Sequence, residues 1–459
     1  MKKVVWWFGC YLLLSSGSVI ANTLFSTDVP LVQEQQQTAG YWLQRLDDAD
    51  RVLLSAEQIT ARNTETYRIQ PELSVLDQLP DSYSAAELMA LIRQISAVPS
   101  SPRFYASGAE VSQTQWQDYL QNANTGQIKA RNPVRFGLVV RRTLMTGFPT
   151  ADRVFNQEME QDLNRFQETG LFPGEPVAIL HQSQDKHWYL VRSYHYTGWV
   201  AAADIAQGSK TEVLAYQQQA PFLVITGAKA FTAYNPELAD ISELQLDMGV
   251  RLPLLSAKDT GYRVHGQNPL GSHIVKLPRR DADGQLVFTA ALIPRSQDVH
   301  TGYLPFTAGN IVRQAFKFLG ERYGWGHDYN GRDCTGFIAE IYRTFGLIMP
   351  RNSGQQGHGQ YGRNTRFTAD SSGQEKLAAL HHAQAGDLIY LPGHVVMYLG
   401  TVNEQPFVIH DVNGLSYMQQ DGRYYTGTLN GVVVTPLLPL HQSAENSYLD
   451  RVYNIKSLR

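Results

Sequence analysis

The sequence predicts a multidomain globular protein: an α+β domain at the C-terminal end, two small β-barrels before it, and a partly helical N-terminal region. Three observations predict this. A chain of 459 residues has room for about three or four domains of about 100–200 residues. From Pro133 onward, short apolar runs separated by polar turns recur at close spacing, which is the pattern of small barrels. From about residue 303 the texture changes to helix-period segments followed by strand-type runs, the order of an α+β domain. Hydrophobic residues at 43% and charged residues at 18% suit a core-forming chain and exclude long disorder, a coiled coil, a collagen and a polytopic membrane protein. A formal net charge of -3 offers no basic surplus for a phosphate backbone, so nucleic acid is not an expected partner.

Lys2 and Lys3 precede an apolar stretch from Val4 to Leu14, and small residues then lead to Val19-Ile20-Ala21. This is the layout of a secretory signal cut near Ala21, so residues 1–21 are read as a leader. The apolar core is shorter than the roughly 20 residues of a spanning helix. The alternatives are an uncleaved membrane anchor and a lipid anchor on Cys10, whose apolar lead-in would be unusually short. The mature chain is expected in the periplasm or outside the cell, as a soluble monomer with no membrane contact beyond the leader.

Residues 22–130 hold helix-compatible stretches such as 85–95, with many Gln, Ser and Asp and no chemical signature. Residues 131–207 carry β-type runs at 136–140, 176–180 and 188–191, closing at 194–200, and form the first expected barrel. Residues 208–302 repeat the pattern at 222–225, 252–255 and 284–288, and form the second. In residues 303–459, Asn310 can cap a helix whose apolar face is Ile311, Val312, Ala315, Phe316 and Leu319. A glycine-rich loop, 320–331, leads to a second helix starting around Cys334, with Phe337, Ile338, Ile341 and Phe345 at helical spacing. Strand candidates follow at 387–390, 394–399 and 407–410.

The chemistry gathers in this last region. Of two cysteines, Cys10 lies in the leader, so the mature chain keeps one thiol, Cys334. At a helix N-terminus, unpaired N–H groups and the dipole favour an anion, so this thiol should ionise more easily than the free value of about 8.5. His394 follows Pro392-Gly393 at the start of an apolar strand, and His410 ends the next one. An antiparallel hairpin would bring the two imidazoles together, giving nucleophile, base and orienter. A buried inert cysteine and structurally satisfied histidines are the bland alternatives.

Tyr323-Gly324-Trp325-Gly326, Asp333-Cys334-Thr335-Gly336-Phe337, Gly386-Asp387-Leu388 and the run His394 to Gly400 resemble, in order and spacing, the NlpC-type cell-wall cysteine peptidases. The resemblance implies a papain-like peptidase domain over 303–459, two SH3-like barrels before it, and the extra N-terminal domain of a subgroup that processes peptidoglycan stem peptides. It implies Cys334 as nucleophile, His394 as general base and His410 as the residue orienting His394. It further implies Asp333 as the carboxylate meeting the free amine of an N-terminal L-Ala, and Tyr323 as lining the oxyanion region. Trp325 and Gly326 would shape the wall of the site or simply pack. Tyr196 and Glu168 fall where relatives close the far end of the cleft.

Two departures stand out: Thr335 replaces the usual serine, and after Arg351 the neutral Asn352 stands where some relatives carry an acid. The implied reaction is attack on the γ-carbonyl of D-Glu in a stem peptide, with hydrolysis of the γ-D-glutamyl–diamino acid bond. No cofactor or metal is expected; His327, His358, His381 and His382 lack the H-E-x-x-H arrangement. Peptidoglycan or its stem peptides are the expected partners. A non-catalytic wall-binding protein and an acyltransferase on the same fold are the rival readings.

Overall fold

The computed structural model describes residues 25–459; the leader, its cut site and Cys10 lie outside the described residues. The helix predicted at 85–95 forms as Ala85–Ile95, started by Ser84, whose Oγ accepts from the Glu87 N–H while Glu87 Oε2 accepts from the Ser84 N–H. Among the described residues, no helix is long and apolar enough to cross a membrane.

The first β region is a seven-stranded antiparallel sheet. Its order is Ile205–Gly208, Arg135–Val139, Pro176–Gln182, Trp188–Arg192, Thr197–Ala201, Thr143–Thr146, Gln167–Leu171. Its interior is apolar, from Val139, Met145, Val177, Ile179, Val191 and Val200. Residues 222–301 build three smaller sheets: Arg251–Pro253 with Phe222–Ile225 and Val299–Thr301, Lys229–Phe231 with Gln245–Asp247, and Ser272–Arg280 with Leu286–Pro294. They share one core that includes Leu223, Ile225, Leu246, Leu252, Val275 and Ile293.

The C-terminal region packs two helices on a six-stranded antiparallel sheet. The sheet order is Arg363–Arg366, Asn454–Ser457, Leu388–Leu391, His394–Val402, Gln405–Met418, Tyr424–Pro436. The first helix is Ala308–Phe316. Its cap is Thr307, not Asn310: the Thr307 hydroxyl accepts from the Asn310 N–H at 3.0 Å, and the Asn310 side chain turns back to the Pro305 carbonyl. Thr307 ends a strand paired with Val52–Leu54, which fixes it in the extended conformation a cap needs. The second helix, Cys334–Arg343, buries Phe337, Ile338, Ile341 and Tyr342 against Leu388, Tyr390, Val395, Met397 and Ile409 of the sheet. Period-3.6 apolar spacing on the helix meets period-2 alternation on the strands.

The N-terminal residues divide their burial between these regions. Trp42 is fully buried in the core of the C-terminal region, its ring 5.6 Å from that of Phe407, and Gln37 Nε2 donates to the Val434 carbonyl at 2.9 Å. Leu88, Ile92 and Ala123 instead join Phe136, Leu138 and Trp199 of the seven-stranded sheet.

Candidate active site

Cys334 is the first residue of its helix, and Asp333 is the cap, with Oδ1 accepting from the Gly336 N–H at 2.9 Å. The thiol is nearly buried and lies near the Val395 backbone N–H, beside His394. Burial first, and then the neighbouring carboxylates of Asp333 and Asp411, push the Cys334 thiol up to about 12. This corrects the expectation of ready ionisation: the helix end favours thiolate, but desolvation and two acids outweigh it. Burial thus favours the neutral form of both the Cys334 thiol and the His394 imidazole.

His394 opens the strand His394–Val402, and His410 lies in the antiparallel partner Gln405–Met418, where Met397 pairs with Ile409 and Tyr398 with Val408. That register sets the two histidines diagonally on one face, and His394 Nε2 lies 3.0 Å from His410 Nδ1. The Tyr448 ring packs on both imidazoles. Burial lowers His394 to about 4 and, with His394 as neighbour, holds His410 well below its ordinary value. If His394 is the base, it must be neutral to accept a proton, so the acid limb of kcat/KM is expected near pH 4, well below the free imidazole value. A pH–rate profile checks this; a limb at or above pH 6.5, the unperturbed value, contradicts it.

The loop before the thiol is held from outside its own domain. Gly326, His327 and Tyr329 adopt φ of 58°, 71° and 52°. A side chain at Gly326 would place its Cβ 2.8 Å from Gln167 Cγ, so glycine is required there by both φ and space. The Trp325 indole donates to the Gln167 carbonyl at 3.1 Å. His327 is buried, its Nδ1 accepting from the Gly170 N–H at 3.1 Å, which leaves Nε2 to donate to Glu340 at 2.9 Å. Arg142 donates to the His327 and Gly331 carbonyls, both at 2.8 Å. Arg332, fully buried, pairs with Glu340 at 2.9 Å and Asp247 at 3.3 Å, and also with Glu321.

Asp333 is already saturated. Its Oδ1 accepts from Gly336 N, from the Thr335 hydroxyl at 2.9 Å and from Arg351 Nη1 at 3.2 Å; its Oδ2 accepts from Arg351 Nη2 at 2.6 Å and Gly326 N at 3.0 Å. Burial alone would raise this carboxyl, but the Arg351 guanidinium holds it well below the usual carboxylate range. A carboxylate offers about four lone-pair positions, so a substrate ammonium would have to displace one of these donors. Thr335 keeps the function of a serine hydroxyl here, since it also accepts from Arg351 at 2.5 Å. Arg351 reaches across to Thr169 of the seven-stranded sheet at 2.6 Å.

Beyond Arg351 lies a cavity of about 410 Å³ whose lining includes Glu168, Tyr196, Asn352, Gln355 and Glu72. The Tyr196 hydroxyl donates to Glu168, whose carboxyl is raised by burial against the pull of Tyr196 and Arg351. The Asn352 N–H donates to Gln355 Oε1 at 3.0 Å, and Asn352 and Tyr196 line the cavity together. Tyr323 is nearly buried, and burial followed by its neighbours Cys334, Asp333 and Asp411 raises its hydroxyl well above the ordinary tyrosine value.

Two residues of the site escape the sequence reading. Asp411 is fully buried with neither carboxyl oxygen hydrogen-bonded among the described residues, and burial raises it well above the carboxylate range. An acid inside an apolar strand is the signal that could have found it. Thr435, also fully buried, places Oγ1 3.0 Å from His410 Nε2; it follows three valines in an otherwise apolar run, with nothing in the sequence to mark it.

A thiol at a helix start, backed by two imidazoles in series on an antiparallel sheet, can carry out nucleophilic acyl chemistry. Fold and site together describe a multidomain protein in which a β module adjoins such a thiol–imidazole domain. Residues 320–434 match the NlpC/P60 family and residues 153–201 match the SH3 domain of SH3b1 type, so the chain carries an NlpC/P60 domain with an SH3-type domain before it. It is 28% identical over 253 residues to the gamma-D-glutamyl-L-lysine dipeptidyl-peptidase of Bacillus cereus, a match covering 51% of this chain and 66% of that one. It is 32% identical over 115 residues to the probable endopeptidase p60 of Listeria seeligeri, covering 23% of this chain and 18% of that one. The chain thus spans less than two thirds of the length of either relative. A solved NlpC/P60 endopeptidase from Photobacterium damselae subsp. piscicida superposes with a TM-score of 0.72 at 18% identity, covering 91% of this chain and 96% of that one, which is a likeness of fold.

Proposed function

We propose that the protein is an exported cysteine endopeptidase that hydrolyses peptidoglycan stem peptides at the γ-D-glutamyl–diamino acid bond. The observation that carries this reading is the 3.0 Å contact between His394 and His410 beside the Cys334 helix start. His394 takes the Cys334 proton as sulfur attacks the γ-carbonyl of D-Glu. Transfer during attack suits a resting pair in which neither group is charged. The Cys334 backbone N–H and the Tyr323 hydroxyl receive the oxyanion, and one such donor is worth about 2.7–4 kcal/mol in a protease. His394 returns the proton to the leaving amine, and water cleaves the thioester.

The name of the Bacillus relative, a gamma-D-glutamyl-L-lysine dipeptidyl-peptidase, supports a γ-D-glutamyl peptide as substrate. The proposed boundaries are 1–21 for the leader, 22–130 for the N-terminal domain, 131–207 and 208–302 for two SH3-like modules, and 303–459 for the peptidase. The cavity at Glu168, Tyr196 and Asn352 takes the N-terminal end of the stem peptide, with Glu168 as the acid open to an amine.

Incubation of the mature protein with L-Ala-γ-D-Glu-diaminopimelate and, separately, with purified sacculi tests the reading by mass spectrometry. Release of L-Ala-γ-D-Glu, or of its wall-bound equivalent, is the expected result. Intact substrates in both, with Cys334 shown to be reduced, would overturn it, and a new amide in place of a free acid would mean acyl transfer.

A further inference from the structure

We infer that Thr435 is a positioning residue that fixes the tautomer of His410 and, through it, the nitrogen of His394 that is free to act as base. The inference rests on the proposed roles of Cys334 and His394. His394 Nε2 faces His410 Nδ1 at 3.0 Å, and His410 Nε2 faces Thr435 Oγ1 at 3.0 Å, so the three side chains form a single file. A neutral imidazole has one donor and one acceptor nitrogen. For His394 to receive the thiol proton on Nδ1, its own proton must sit on Nε2 and point at His410 Nδ1. His410 then carries its proton on Nε2, which needs an acceptor, and the Thr435 hydroxyl oxygen at 3.0 Å is placed to be that acceptor.

The packing gives the hydroxyl little other purpose. Thr435 and His410 are both wholly enclosed, and Thr435 lies on the strand Tyr424–Pro436, paired with Val408. Valine has the same shape and already fills positions 432–434. A buried hydroxyl is unfavourable unless bonded, and the bond it makes here is to His410. With valine at 435, the His410 Nε2–H would have no acceptor in a dry site. The imidazole would favour the Nδ1–H tautomer, which points a proton at His394 Nε2 and drives the proton of His394 onto Nδ1, where the thiol proton has to arrive.

Thr435→Val and Thr435→Ser test this in the full chain, with Cys334→Ala as control. Thr435→Val is expected to lower kcat about 100-fold, the low end of what a general base contributes, with KM unchanged. Thr435→Ser, which keeps the hydroxyl, should stay within a few-fold of wild type. Nitrogen NMR of ¹⁵N-histidine-labelled protein should find His410 protonated on Nε2 in wild type and on Nδ1 in Thr435→Val. Wild-type kcat in Thr435→Val, an unchanged His410 tautomer, or an equal loss in Thr435→Ser would each overturn the inference. Undiminished activity in Cys334→Ala would instead overturn the parent reading, and the tautomer measurement would still decide the role of Thr435.

Discussion

Cys334→Ala is expected to abolish stem-peptide hydrolysis, by at least about 10⁴-fold, and to leave the protein folded. In the proposed mechanism the large kinetic effect follows from removing the atom that would form the thioester, which leaves His394 and the oxyanion donors nothing to activate. The small structural effect follows from the surroundings. Among the described residues Cys334 is a buried cysteine with no disulfide partner, and alanine suits the first turn of a helix. Losing one sulfur should cost on the order of 1 kcal/mol. Kinetics and a thermal unfolding midpoint check the two halves together. Turnover near wild type would remove Cys334 from the mechanism, while a collapse of the midpoint would show its loss to be structural.

Asp333→Asn is expected to cost about 3–5 kcal/mol of stability, the scale of removing one partner of a buried ion pair, and to depress hydrolysis of free and N-acetylated stem peptides alike. The resemblance alone suggests selective damage to substrates with a free amine. The geometry points elsewhere: Asp333 caps the cysteine helix, pairs with the buried Arg351 at 2.6 Å and holds the Gly326 N–H of the preceding loop. Asparagine leaves the guanidinium without its closest carboxylate and replaces one acceptor oxygen by a donor facing other donors. Denaturant unfolding, with activity compared on the two peptides, checks this. A stable variant impaired only on the free-amine peptide would restore Asp333 as the ammonium receptor.

What the sequence revealed follows from how locally each feature is encoded. The cysteine helix and the hairpin bearing His394 and His410 could be read because helical and alternating periods lie within a dozen residues. Apolar periodicity does not mark Thr143–Thr146 or Gln167–Leu171: these strands pair with each other across a long connection, and the second contains Glu168, Thr169 and Gly170. The cap at Thr307 depends on a strand pairing with residues more than two hundred positions away. The ionisation of Cys334 is not legible in sequence: the helix dipole is visible there, whereas enclosure and the approach of Asp411 are products of tertiary packing. The brace around residues 324–331 draws on Arg142, Gln167, Gly170 and Asp247, which no local pattern connects to the thiol.

The burial of Trp42 against Phe407 has a consequence for the order in which the chain can mature. The two residues are 365 positions apart (407 − 42), and the bond from Gln37 to Val434 spans 397. Contacts at such separation carry a high closure cost and form late. A nascent chain emerging from its N-terminus therefore cannot complete the compartment around Cys334 until its last strands have appeared. The indole buried in this core meets Phe407 only once nearly the whole chain has been made. Assembly of the thiol centre becomes a terminal event, so a truncated or stalled chain carries the parts of the site without the site itself.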